Sequence, residues 1–137
     1  MHDELEQLLK NLHLKKVREL FDAALAKAEK EGLPVEKLWI RLLRAEWESR
    51  QESALAWRIK NARMPETWSL ESFPFKKQPG VSQRQIRTFA ELDFMARAEN
   101  IVFIGPTGVG KTGLAISLLL KALQNGYRCL FLSAQDL

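Results

Sequence analysis

One glycine-rich segment carries the residues best suited to chemistry in this sequence. Its glycines let successive backbone amides turn inward around a polyphosphate, and a helix starting at its end adds partial positive charge. In such a segment Lys111 reaches the β- and γ-phosphates, and the Thr112 hydroxyl coordinates Mg²⁺. The residues fit the pattern G-x-x-x-x-G-K-S/T and are Gly105, Pro106, Thr107, Gly108, Val109, Gly110, Lys111 and Thr112. The segment predicts a nucleoside triphosphate site with Mg²⁺, and a glycine-rich turn that binds nothing is the alternative.

Hydrolysis requires further groups, which this sequence does not offer. An acidic residue at the end of another strand must hold Mg²⁺, and a second group must orient the attacking water. After Thr112 the only acidic residue is Asp136, which we interpret as a helix cap rather than as a metal ligand. Arg128 is the only candidate for an arginine finger in this part of the chain. We therefore assign no catalytic residue, predict that this chain does not hydrolyse ATP, and expect ATP binding of the full-length protein.

The N-terminal part of the chain has the pattern of a helical hairpin. Residues 3–31 carry apolar side chains at three- and four-residue steps, which predicts one amphipathic helix or two with a bend near His13. Gly32 suits a left-handed helix end, and Pro34 suits the first turn of the next helix. That second helix runs from Val35 to Met64, because Pro65 disfavours a helical residue before it. We predict a helical domain over residues 1–64.

A proline-containing segment separates this domain from the rest. Residues 65–82 form a predicted linker, ordered because its aromatic side chains need somewhere to pack. Phe73 and Phe75 either border a nucleotide base or pack on the part of the sheet that this chain lacks. A third helix is predicted over Gln83–Ala98, capped by Ser82.

The C-terminal residues have the pattern of one βαβ unit. Ile101–Ile104 and Cys129–Leu132 are short apolar runs typical of buried strands, and a helix is predicted between them from Leu114 to Gln124, closed by Gly126. Strand, helix and strand in this order predict a parallel sheet. The predicted fold class is α/β, with a P-loop domain beginning in residues 83–137. Two strands would leave open sheet edges, so we expect a truncated chain.

Composition excludes several other classes of function. The single cysteine, Cys129, excludes an intramolecular disulfide, and with only His2 and His13 beside it no zinc site is expected. No apolar run reaches the roughly 20 residues that span a bilayer, and the acidic N-terminus lacks a signal sequence. We expect a cytoplasmic protein without membrane contact. A net charge of +4 permits contact with nucleic acid without requiring it.

Two sets of side chains allow either a structural or a nucleic-acid role. The tryptophans are helically spaced, which favours packing in the core or against a partner helix over stacking on unpaired bases; they are Trp39, Trp47, Trp57 and Trp68. The basic set could contact phosphates or complement a helix dipole, and it consists of Arg58, Lys60, Arg63, Lys76 and Lys77.

Several short segments together resemble one known family. They are Leu42 to Gln51, Phe73-Pro74-Phe75, Gln78-Pro79, Ile86-Arg87, Leu92-Asp93-Phe94, Glu99-Asn100-Ile101, Gly105 to Thr112 and Gly126-Tyr127-Arg128. In these the chain resembles the transposition helper ATPases of insertion sequences, the IstB family, close relatives of the DnaC helicase loaders in the AAA+ class. It departs from the family at Pro74, where aspartate is usual, and at Gly113, where histidine is usual.

The resemblance implies a function and partners. Family members bind ATP, assemble on DNA into rings or helical oligomers, and deliver target DNA to a partner transposase. They continue through a Walker B strand, sensors and an arginine finger, so this chain resembles their N-terminal helical domain and first βαβ unit. The implied ligands are ATP and Mg²⁺, and the implied partners are DNA, the transposase of the same element and further copies of the chain. A DnaC-like helicase loader and a non-enzymatic helical module with a vestigial P-loop are the alternatives.

Overall fold

A computed structural model describes residues 1–137, and every regular element in it is helical. The chain divides into an N-terminal unit, Met1–Ala54, and a C-terminal unit, Leu55–Leu137. None of the helices has the length and apolar character needed to cross a membrane. The α-helices are α1 (Asp3–Asn11), α2 (Lys15–Glu31), α3 (Val35–Asn61), α4 (Gln83–Ala90), α5 (Asp93–Ala96) and α6 (Lys111–Gln124), with 3₁₀ turns at Phe75–Lys77 and Ala134–Asp136.

The helix breaks of the N-terminal unit lie where the sequence predicts them. His13 takes a left-handed conformation with φ +55°, and this separates α1 from α2. Gly32 ends α2 with φ +62°, and its amide donates a hydrogen bond back to the last turn. Glycine tolerates this conformation without a steric cost, so the predicted turn is confirmed.

The core of the N-terminal unit is built from the apolar faces of its three helices. Together with the partly buried residues packed around them, the buried members recur at spacings of three, four and seven residues within a helix, so one face of each helix points inward. They are Leu9, Val17, Ala28, Leu38 and Leu42, with Leu5, Leu14, Phe21, Ala24, Leu25 and Leu33 packed around them. The packing of these faces stabilises the hairpin.

Two predicted helices end earlier than their sequence pattern indicates. α3 stops at Asn61 rather than Met64, because Arg63 lies in the left-handed region with φ +54°. The single helix predicted over Gln83–Ala98 is interrupted at Leu92, where φ is +66°. Ser82 caps α4 as predicted, since its hydroxyl accepts a 3.3 Å hydrogen bond from the Gln85 amide.

The predicted α/β class with a βαβ unit is wrong, because the chain forms no strand and no sheet. No backbone hydrogen bond joins Ile101–Ile104 to Cys129–Leu132, and the Phe131 amide bonds instead to the Ala62 carbonyl at 2.7 Å. A strand is held by ladder hydrogen bonds to a neighbouring strand, so an apolar run alone does not create one. Ile104, expected to be buried, is 92% exposed. The helix predicted between the two runs is present as α6 and begins at Lys111.

The C-terminal unit is organised around α6. This helix buries residues on most of its circumference, including Ile116 and Leu123, and it packs against α4. A second apolar cluster covers its N-terminal end, with Phe73, Ile86 and Leu114 buried and Trp68, Leu70, Phe75, Val81, Phe89 and Phe103 around them. The aromatic residues of the predicted linker are thus ordered against the helix that follows the glycine-rich segment.

Candidate phosphate-binding site

The glycine-rich segment forms a loop that leads directly into α6. Gly108 and Gly110 take left-handed conformations with φ +83° and +90°, which side chains rarely adopt. Gly110 is the residue immediately before the helix, and no side chain caps the first turn. The loop conformation therefore depends on glycine at these two positions.

The backbone amides of this loop are free to bind an external acceptor. No amide from Thr107 to Gly113 donates a hydrogen bond within the chain. The first intrahelical bond of α6 is donated by Leu114, to the Gly110 carbonyl at 3.0 Å. Unpaired amides at a helix N-terminus, with the positive end of the helix dipole behind them, form a site suited to an anion.

The ammonium group of Lys111 bridges the two ends of the loop. Its Nζ donates hydrogen bonds to the carbonyl oxygens of Gly105 at 2.8 Å and Pro106 at 2.5 Å. The cation therefore lies on the same loop whose amides are unpaired. A polyphosphate on this loop would receive amide hydrogen bonds together with the charge of the lysine.

Thr112 offers an oxygen ligand beside the loop. The residue is exposed, and its hydroxyl makes no hydrogen bond within the chain. It lines a cavity of about 440 Å³ together with the loop and with Glu66, whose carboxylate sequence reasoning did not connect with the site. Hydroxyl and carboxylate oxygens are the hard ligands that Mg²⁺ prefers, so the residues present fit this ion.

Two aromatic side chains of the preceding segment complete the site. A Cβ atom at Gly110 would lie 2.9 Å from Phe73 Cζ, and one at Gly113 would lie 3.3 Å from Trp68 Cδ2. The Phe73 ring packs on the loop and the first turn of α6, and neither of the two alternatives for it is tested by this contact. Sequence reasoning did not place Trp68 here, although the three-residue spacing of Gly110 and Gly113 at the start of the helix was an available signal.

Comparison with known proteins identifies the family. The family described as IstB-like ATP-binding protein matches residues 7–137 of this chain. The chain belongs to the IstB-like ATP-binding protein family. The resemblance inferred from the sequence segments is therefore confirmed.

Individual relatives of this IstB-like chain come from several insertion sequences. The protein described as ATP-binding in IS21 of Pseudomonas aeruginosa is 39% identical over 96% of the chain and 49% of its own length. The corresponding protein of IS5376 from Geobacillus stearothermophilus is 35% identical over 100% of the chain and 55% of its own length. That of IS232 from Bacillus thuringiensis is 32% identical over 100% of the chain and 56% of its own length. The chain spans about half the length of these curated relatives.

The other residues singled out in this IstB-like sequence do not join the site. Arg58 Nε donates a 3.0 Å hydrogen bond to the Leu123 carbonyl, so this guanidinium caps the C-terminal end of α6. The Arg128 guanidinium lies over the Trp57 ring, 5.5 Å from its centroid. Trp39 and Trp47 are 39% and 62% exposed, so neither belongs to the core of this chain, and packing against a partner helix stays a prediction.

Asp136 belongs to a short hydrogen-bonded turn, and Cys129 is partly buried. The Asp136 carboxylate accepts a hydrogen bond from the Ser133 hydroxyl at 2.5 Å and closes a capping box on the last 3₁₀ turn. The sequence interpretation has Asp136 capping a further helix; here it is instead the third residue of a turn whose N-cap is Ser133. Cys129 is half-buried, and burial raises the pKa of its thiol. Its thiol is thus less readily ionised than one in water.

Proposed function

We propose that this chain binds ATP with Mg²⁺ through residues 105–112, as the ATP-binding component of an insertion sequence. The observation that carries the proposal is the run of unpaired amides from Thr107 to Gly113 at the start of α6, bridged by Lys111. Membership of the IstB-like family and the ATP-binding descriptions of the relatives support it. When bound, Mg²⁺ would neutralise phosphate charge and orient the phosphates.

The residues of the loop have separate roles in this proposal. Gly108 and Gly110 supply the left-handed turns that aim the amides at phosphate oxygens. Lys111 exchanges its two carbonyl acceptors for phosphate oxygens, which form stronger hydrogen bonds because they are charged. The Thr112 hydroxyl holds Mg²⁺, with Glu66 as the carboxylate that lines the same cavity.

Titration of the chain with a fluorescent ATP analogue in the presence of Mg²⁺ tests this function. Lys111→Ala removes the only cation that bridges the loop and is expected to weaken binding at least about tenfold. Lys121→Ala is the matched control, because this lysine belongs to the last turn of the same helix. Equal affinities of Lys111→Ala and the unaltered chain would refute the proposal.

We further propose that the chain contacts DNA and serves a transposase of the same element. The insertion-sequence names of the relatives support transposition rather than helicase loading as the setting. Among the basic residues considered for phosphate contact, Arg58 is engaged by α6, whereas Lys60, Arg63, Lys76 and Lys77 are exposed and form no ion pair. These four cations are therefore available to phosphates of a nucleic acid.

Binding of a labelled DNA duplex at several salt concentrations tests the DNA contact. Neutralising Lys76 and Lys77 to alanine should weaken binding and lower the salt slope by about 1 per lysine. Lys30→Ala with Lys37→Ala removes the same charge from exposed, unpaired positions in the N-terminal unit and serves as control. Co-precipitation with the transposase of the element, and with a replicative helicase as comparison, distinguishes the two partners. Sedimentation on DNA with ATP tests self-association.

A further inference from the structure

The first turn of α6 lies beneath two aromatic rings. Phe73 is buried, and its ring stands 6.2 Å from that of Trp68 with an interplanar angle of 59°. Phe75 meets Phe73 edge to face at a centroid distance of 4.8 Å. These contacts hold the indole of Trp68 in one place against the helix.

The indole of Trp68 packs closely against Gly113 of α6. A Cβ atom at Gly113 would lie 3.3 Å from Trp68 Cδ2, tighter than most real Cβ contacts, and 3.5 Å from Cε2, an ordinary van der Waals distance, so the indole would have to shift by a few tenths of an ångström. Gly113 is buried and lies within α6, where glycine is less favourable than alanine for the helix itself. The glycine therefore fits the tertiary contact at the expense of local helix propensity.

Trp68 also reaches the candidate nucleotide site. It lines the cavity of about 440 Å³ that contains Thr107, Gly108, Lys111 and Thr112. The amide of Gly113, the residue against which the indole packs, is one of the unpaired donors of the first turn. A shift of the indole would thus displace the backbone that presents these donors.

We propose that Trp68 is a positioning residue for the phosphate loop, acting through its contact with Gly113. The indole fixes the first turn of α6 in the orientation that aims its amides at phosphate, and in return it responds when the loop binds a nucleotide. This role rests on the proposed ATP binding. It adds that the conformation of the phosphate loop depends on Trp68, which lies in the segment before it.

A double-mutant cycle on nucleotide affinity tests the contact. Gly113→Ala should weaken binding of the fluorescent ATP analogue about tenfold, because the added methyl displaces the indole. In a Trp68→Ala background the same substitution should cost less than about twofold, since the space for the methyl is then free. Gly80→Ala is the control, because no atom lies within 4 Å of a Cβ there. Equal losses in both backgrounds, or no loss from Gly113→Ala, would overturn the proposal.

The fluorescence of Trp68 provides a second test, which requires no substitution at Gly113. In a chain with Trp39, Trp47 and Trp57 replaced by phenylalanine, Trp68 is the only tryptophan. Its emission should change on addition of ATP and should not change in the Lys111→Ala variant. If the analogue binds but the emission of Trp68 does not change, the positioning role alone is overturned. A parent chain that binds no analogue overturns the proposed function and this inference with it.

Discussion

The carboxylate of Glu46 accepts a 2.6 Å hydrogen bond from the backbone amide of Lys16, a residue 30 positions earlier in the chain. The Val17 amide donates to the same oxygen at 3.2 Å. No local side chain caps the start of α2, so a residue of α3 performs this function from a distance. Arg50 completes the arrangement, because its guanidinium bonds both to Glu46 and to the His13 carbonyl.

Replacing Glu46 by alanine should destabilise the N-terminal unit. The substitution leaves two amides at the start of α2 without acceptors and should lower the free energy of unfolding by about 2 kcal/mol. Urea denaturation followed by circular dichroism measures the change. Glu48→Ala removes an exposed carboxylate from the same helix and should change the stability little. A Glu46 variant as stable as the Glu48 variant would contradict this role.

The same carboxylate should make stability depend on pH. Burial acts to raise the pKa of Glu46, but the hydrogen bonds from Arg50, Val17 and Lys16 outweigh it and place the pKa below its ordinary value of 4.5. A carboxyl whose pKa is lowered by folding stabilises the fold at pH values above its ordinary pKa. This contribution is lost as the pH falls through the pKa of the folded state. The stability difference between the unaltered chain and Glu46→Gln, measured by denaturation, should therefore shrink below about pH 4.5. A difference that grows on acidification would show the opposite shift.

Gly110→Ala should damage the phosphate loop in two separable ways. The position has φ +90°, where a side chain costs about 1–3 kcal/mol, and the added Cβ would meet the Phe73 ring at 2.9 Å. We expect a lower melting temperature and weaker binding of the ATP analogue. Combining it with Phe73→Leu should restore only part of the affinity, because the backbone strain remains. Complete restoration would mean that the ring contact alone requires glycine.

Residues 1–64, prepared as a separate chain, should fold into helices. α1, α2 and the first half of α3 share a core of mostly local contacts, which favours independent folding. Residues 100–137 should instead aggregate, since Val102 and Ile104 are 76% and 92% exposed. Circular dichroism and sedimentation of the two pieces measure both expectations. An unfolded first piece beside a monomeric, cooperatively melting second piece would refute them.

Local signals in the sequence determined the helices and the phosphate loop. The apolar spacing of α2 and α3, the glycine at position 32 and the Ser82 cap act within a few residues of the chain, so their outcome follows from short-range physics. The loop at residues 105–112 is equally local, because glycine conformations and a helix N-terminus create it. Nucleotide binding by these residues stays a prediction.

Tertiary contacts decided what the sequence pattern could not. Ile101–Ile104 and Cys129–Leu132 have the composition of strands, yet a strand requires a hydrogen-bonded neighbour that no local pattern supplies. The packing of Trp68 on Gly113, and the capping of α2 by Glu46, join residues far apart in the chain. Such contacts depend on how whole elements pack, and only the three-dimensional arrangement determines which side chain meets which backbone group.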